Sequence, residues 1–167
     1  TTPFAMPFIE GARDEAALQD VTVATFCTRS DPALEQAAID LLVSQKTIGI
    51  IYASLITRQV TVPEAFSELP LVLLNCYERK LRYPSVVPGD LVGGYTATRA
   101  LLRAGHRRIA HMTGEIIVEA AIDREKGFRQ AMAEWNAPVD ESLVVQAGWT
   151  IRGGRETALA LMSLPNP

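Results

Sequence analysis

Two histidines five residues apart, His106 and His111, are followed by two acids four apart, Glu115 and Glu119; these are the side chains whose types could move protons. Neither set is completed into a catalytic group. The chain has no Walker A sequence, no GxSxG and no HExxH, and no cysteine or acid gives the histidines a metal-ligand spacing. Glu115 and Glu119 read more simply as a charged loop. Cys27 and Cys76 are far apart and form no CxxC, which fits ordinary reduced, buried thiols. With no activated nucleophile in view, the expectation is a protein that is not an enzyme, with no cofactor and no metal.

Binding chemistry is better represented. Asp90 sits between a short apolar segment and a helical pattern, where a carboxylate can accept two hydroxyl hydrogen bonds or cap a helix. Ser54 follows an apolar run over 48–52 and could present its hydroxyl to a ligand or cap a helix. Trp149 stands next to a glycine turn, a place harder to explain as plain core than that of Trp135, which repeats helically with Phe128 and Met132.

The elements that would position these residues alternate between helix and strand. Phe8, Ile9, Ala12, Ala16 and Ala17 predict a first helix, and the β-branched run 21–27 a strand. Asp31 caps a helix with Pro32 in its first position and Leu34, Ala38, Leu41 and Leu42 as its buried stripe. Strands follow at 48–52 and 71–75, with a short helix at 64–69 between them and a short edge strand at 85–87 after them. A helix then runs to Gly105, which falls where a left-handed cap is wanted. Beyond it come a strand around Ile109, a helix through Phe128, Ala131, Met132 and Trp135, a strand at 143–146 and a last helix through Ala158, Leu161 and Met162. Such an order demands parallel sheets with crossover helices.

Six blocks of this sequence occur in the order found in the LacI/GalR family of bacterial transcription regulators. They are Thr2-Pro3-Phe4 with Gly11, Asp31-Pro32 through Gly49-Ile50-Ile51, Gly93-Gly94-Tyr95 with Thr98-Arg99, Gly105-His106-Arg107-Arg108-Ile109-Ala110-His111-Met112-Thr113-Gly114, Arg124 with Gly127-Phe128, and Trp149-Thr150 with Gly153-Gly154. The chain resembles the effector-binding core of that family over nearly its whole length. The resemblance implies an α/β, two-lobed, periplasmic-binding-protein-like fold, each lobe a Rossmann-like parallel sheet flanked by helices. It implies an amino-terminal lobe over 1–104 lacking its first strand, the start of a carboxyl-terminal lobe over 105–167, a core cut at both ends, and a DNA-binding helix-turn-helix outside this chain.

The same resemblance suggests the site. Thr2, Pro3 and Phe4 match a loop that overhangs the family's inter-lobe cleft, although Phe4 could equally staple a helix entry on Phe8. Asp90 lies near a position where the family usually carries an Asp-Asp or Asp-Asn pair, here Gly89-Asp90, and Trp149 matches an aromatic that packs on the ligand. In 121–128, many members carry two arginines; here the first position is Ile122 and the second is Arg124, expected to support the site by tying helix to loop, with Asp123 as a substitute polar group. Loss of the first guanidinium removes up to five donors and points to a neutral effector.

The implied function is that of an effector-binding domain that takes a sugar-like molecule, or a nucleobase, and controls DNA binding allosterically. The implied partners are a second copy in a homodimer and operator DNA held by the absent segment. The alternative is the periplasmic sugar-binding protein of an importer, which shares the architecture. At 167 residues and 48% hydrophobic, the chain can bury a substantial core. A net charge of −3 and a pI near 5.4 argue against nucleic-acid binding by this segment itself. With no signal-peptide pattern and no long apolar run, a cytoplasmic protein without membrane contact is expected.

Overall fold

The computed structural model describes residues 5–165. They form two compact units. The first holds the described residues up to Leu55 together with Gln59–Val86, and the second holds Ile56–Arg58 with everything from Val87 onward. The division falls ahead of the Gly105 seam expected from the sequence, because the helix before Gly105 packs against the helix that contains Phe128.

In the first unit, α1 (Met6–Ala17) is followed by α2 (Pro32–Ser44), β1 (Ile50–Gln59), β2 (Leu71–Tyr77) and β3 (Ser85–Val86). Asp31 caps α2 as expected: its Oδ1 accepts from the amides of Ala33 and Leu34 at 2.8 and 3.3 Å, with Pro32 opening the helix. The buried side of α2 is Ile39, flanked by half-buried Ala38 and Leu42, while Leu34 and Leu41 are exposed, so the expected stripe is rotated. The sheet runs β1-β2-β3, with β2 and β3 parallel and Leu73 opposite Ser85. Ile39, Ile50, Val62, Phe66, Leu71, Leu73 and Cys76 close its core around a 3-10 turn at Glu64–Phe66.

Three expectations fail here. Residues 21–27 join no ladder, because β-branched side chains favour extended backbone but only a hydrogen-bonded neighbour makes a strand. Cys27, on that segment, is exposed rather than buried; Cys76 is buried. β1 continues through Leu55, Ile56 and Thr57 to Gln59, so Ser54 lies inside a strand and not beyond its end.

The second unit comprises α3 (Asp90–Arg103), β4 (His111–Thr113), α4 (Glu119–Glu134), β5 (Val144–Gln146) and α5 (Ile151–Met162). Gly105 ends α3 at φ +96°. Its amide donates to the Leu102 carbonyl at 3.1 Å and that of His106 to Leu101 at 3.2 Å, the paired bonds of a Schellman cap. β4 and β5 are parallel, with His111 opposite Val144 and Thr113 opposite Gln146. Leu102, Ile109, Phe128, Ala131, Met132 and Ala137 form the core, with Tyr95, Trp135, Val139 and Val144 against it. Trp135, expected as core, is only half-buried: it caps the end of α4, and the Arg107 guanidinium covers its ring at 5.5 Å.

Glycine makes the α3–α4 contact possible. A Cβ on Gly94 would stand 2.2 Å from the Arg124 carbonyl oxygen, and one on Gly127 would stand 2.1 Å from that of Leu91. The two backbones therefore touch where each helix has no side chain. No helix among the described residues is long and apolar enough to cross a membrane.

Candidate functional site

That close crossing sets the first half of the site. It brings Arg124, on the second turn of α4, beside Asp90, the first residue of α3, and the Arg124 Nε donates to Asp90 Oδ1 at 2.6 Å. Asp90 is buried, and Gly89 holds the cap position without any side-chain bond, so the carboxylate does not act as the N-cap. It sits in the first turn, where the helix dipole favours negative charge, and a cation completes it. Arg124 is half-exposed; among the described residues only its Nε is hydrogen-bonded, leaving its terminal nitrogens available.

The second half is Trp149. Gly148 turns the chain after β5 at φ +70°, and Thr150 then caps α5, its Oγ1 accepting from the Gly153 amide at 3.0 Å. Between these two fixed points the indole lies on Gly114 at the end of β4: a Cβ there would approach its Cζ2 to 2.3 Å. Only glycine leaves room for the ring. The indole is 50% exposed, and the Arg124 guanidinium stands 5.8 Å from its ring centroid, within cation–π range.

Trp149 lines a cavity of about 90 Å³ together with His111, Thr113, Gly114, Ala121 and Arg124. A mostly apolar hollow of about 280 Å³ adjoins it, formed by the Gly93–Leu101 side of α3 with Ile109, His111 and Phe128. Two polar atoms by these spaces are buried and have no hydrogen-bond partner, Thr113 Oγ1 and His111 Nε2. His111 stacks on Phe128, with ring centroids 5.0 Å apart and planes 17° off parallel.

Burial lowers the His111 pKa from the ordinary 6.5; Glu125 opposes this and Arg129 reinforces it. The folded protein thus holds the imidazole neutral where the unfolded chain would take up a proton. The stability contributed is complete above about pH 6.5 and is lost as pH falls through the folded value. Glu134, Asp140 and Glu141 are also held below their ordinary values by hydrogen bonds, but their losses come at lower pH, below 4.5 for the glutamates and 3.8 for Asp140. Urea melts between pH 7 and 5.5 should show a falling midpoint that His111→Leu flattens. An equal slope in both proteins would remove His111 as its source.

Of the residues singled out from the sequence, Asp90, Arg124 and Trp149 are brought together. Asp123 is not: it lies on the surface of α4 and pairs with Lys126 at 2.9 Å. Ser54 belongs to β1 of the first unit, where its carbonyl oxygen accepts from Asn75 Nδ2 at 3.0 Å. Thr2, Pro3 and Phe4 lie outside the described residues. Thr113 and His111 line the smaller cavity and are not among the residues that the sequence marks for binding. The signal was the polar alternation His111, Thr113 in an otherwise apolar stretch, both side chains pointing to one face of β4.

Residues 1–167 match the family described as periplasmic binding proteins and sugar binding domain of LacI family. The chain is 32% identical over 163 residues to the HTH-type transcriptional regulator DegA of Bacillus subtilis, covering 95% of this chain and 48% of that protein. A LacI-family transcriptional regulator from Rhizobium etli superposes with a TM-score of 0.77 at 26% identity, over 87% of this chain and 52% of that one. The transcriptional regulator CelR in its cellobiose complex gives 0.65 at 25% identity, over 96% and 50%. The chain spans about half the length of the curated relatives it matches.

Proposed function

This chain belongs to the family of periplasmic binding proteins and sugar-binding domains of LacI-type regulators, and from that premise we propose that it binds a neutral, hydroxyl-rich effector at Trp149, Arg124 and Asp90. The observation that carries this reading is the half-exposed indole seated on Gly114 with the Asp90–Arg124 pair beside it. An indole face covers the apolar side of a sugar ring, and the terminal nitrogens of Arg124 donate to hydroxyls. The pair sums to zero charge and Ile122 adds none, which favours an uncharged ligand over an anionic one. A sugar also agrees with the cellobiose held by CelR.

In the whole protein, effector binding shifts an equilibrium between forms that differ in operator affinity. The relatives named above are transcriptional regulators, which supports that reading over an importer component. Operator contact falls to parts of the protein other than this acidic chain, and a homodimer completes the regulator. Thr2, Pro3, Phe4 and Ser54 remain proposed ligand contacts on the strength of the family resemblance.

Calorimetric titration of the full-length protein with D-glucose, D-galactose, D-xylose, cellobiose and glucose 6-phosphate tests the reading. At least one neutral sugar should bind. Trp149→Ala should then weaken it by about 2 kcal/mol, as for a buried aromatic anchor. Asp90→Asn, which loosens Arg124, should cost about 1.5–3 kcal/mol. Binding of none of these sugars, or binding indifferent to Trp149→Ala, would overturn the assignment.

A further inference from the structure

His111 stands on β4 with its ring stacked on Phe128, the centroids 5.0 Å apart and the planes 17° off parallel. It lines both spaces of the second unit, as Arg124 does, and Trp149 shares the smaller of the two with them. The Nε2 atom is buried and has no hydrogen-bond partner. A neutral imidazole tolerates this, because the tautomer protonated on Nδ1 leaves only a lone pair at Nε2. An imidazolium does not. Both nitrogens then carry N–H, and Nε2 would hold a proton and a share of positive charge where neither water nor an acceptor reaches it.

The neighbours do not supply the missing acceptor. On α4, Arg129 is held by Glu125 at 2.8 Å and by Glu141 at 2.6 and 2.8 Å, and Arg124 by Asp90 at 2.6 Å, so these acids already have cations. Glu125 favours the charged ring and Arg129 opposes it, while burial is the largest influence and keeps it neutral. On α3, Arg99 turns to the Tyr95 ring at 5.3 Å. On β5, Val144 stands opposite His111, and Val144–Gln146 carries no charge. On α5, Arg152 and Glu156 pair at 3.1 Å in solvent.

We propose that His111 is a proton switch for the Trp149 and Arg124 site: once protonated, the ring leaves its stack on Phe128 for water, and the walls it shares with those two residues change. That these walls bind an effector rests on the reading above; the switch does not, and its test needs no ligand. The stacked form is the one held at neutral pH. Because burial lowers the His111 pKa from 6.5, the change comes below that value, and the hydrogen-bonded Glu134 and Glu141 titrate below 4.5, apart from it.

The full-length protein labelled with 5-fluorotryptophan reports the change by fluorine NMR, with the Trp149 resonance identified by its loss in Trp149→Phe. From about pH 7.5 to about pH 5 that resonance should move through one reversible, single-proton transition, while far-ultraviolet circular dichroism stays constant. His111→Phe keeps a flat ring against Phe128 and cannot titrate, so the transition should vanish there. His106→Asn removes the other histidine of these residues and should leave it in place. A wild-type resonance that ignores pH, a transition that persists in His111→Phe or disappears in His106→Asn, or one that runs with loss of circular dichroism overturns the proposal. The wild-type titration can refute the switch alone, so the outcome does not depend on whether His111→Phe folds. Failure of every sugar in the panel above removes the effector reading and leaves the switch to this titration.

Discussion

Replacing Phe128 with alanine should destabilise the second unit by about 3–5 kcal/mol, the range for deleting a fully buried aromatic ring. The ring is 1% exposed, packs with Leu102, Ile109 and Met132, and stacks on His111. It also walls the 280 Å³ hollow beside α3, so its loss enlarges an existing space that the surrounding backbone cannot easily close. Urea melts followed by far-ultraviolet circular dichroism measure the effect. Trp135→Ala should cost clearly less, because that ring is half in solvent; a Phe128 variant no weaker than the Trp135 variant would show that the core is placed wrongly.

Gly127→Ala should also destabilise, although alanine is the better helix former by about 1 kcal/mol. The added methyl would meet the Leu91 carbonyl oxygen at 2.1 Å and the Tyr95 amide nitrogen at 2.6 Å, both backbone atoms that no rotamer change can move. The helices must separate, and overpacking of this kind costs about 1–3 kcal/mol or more. We expect a net loss of about 2 kcal/mol, larger still for Gly127→Val, together with weakened sugar binding as Arg124 withdraws from Asp90. Gly93→Ala is the control: nothing lies within 4 Å of its Cβ, so it should gain up to about 1 kcal/mol. Stabilisation by both substitutions would mean that α3 and α4 do not touch at glycine.

The parts legible in the sequence are those decided locally. Asp31-Pro32 and Gly105 mark helix ends through bonds to residues within a turn, and both caps form as read. The 21–27 segment shows the opposite case. Its side chains specify extended backbone, but whether that backbone becomes a strand depends on a neighbour that no local pattern reveals. The stripe of α2 failed by phase: Leu34 and Leu41 obey the helical period, yet the sheet meets the helix at Ile39. Within the candidate site, chemistry and resemblance both marked Asp90 and Trp149, while the resemblance alone marked Arg124. Their mutual geometry was not legible, since the Gly94–Gly127 crossing joins residues far apart in the chain. Thr113 stands in the sequence only as one residue of a matching block, and its burial is visible in the fold alone.

The seat of Trp149 on Gly114 has an optical consequence. Of the two tryptophans in the chain, Trp135 sits at a helix end under Arg107, and Trp149 stands at the mouth of the cavity with half its surface in water. Indole emission follows the polarity and mobility of its surroundings, and those of Trp149 would change if a guest entered the cavity that it lines. With Trp135 replaced by phenylalanine, the tryptophan fluorescence of these 167 residues reports on one ring, and occupancy would become visible without any added dye.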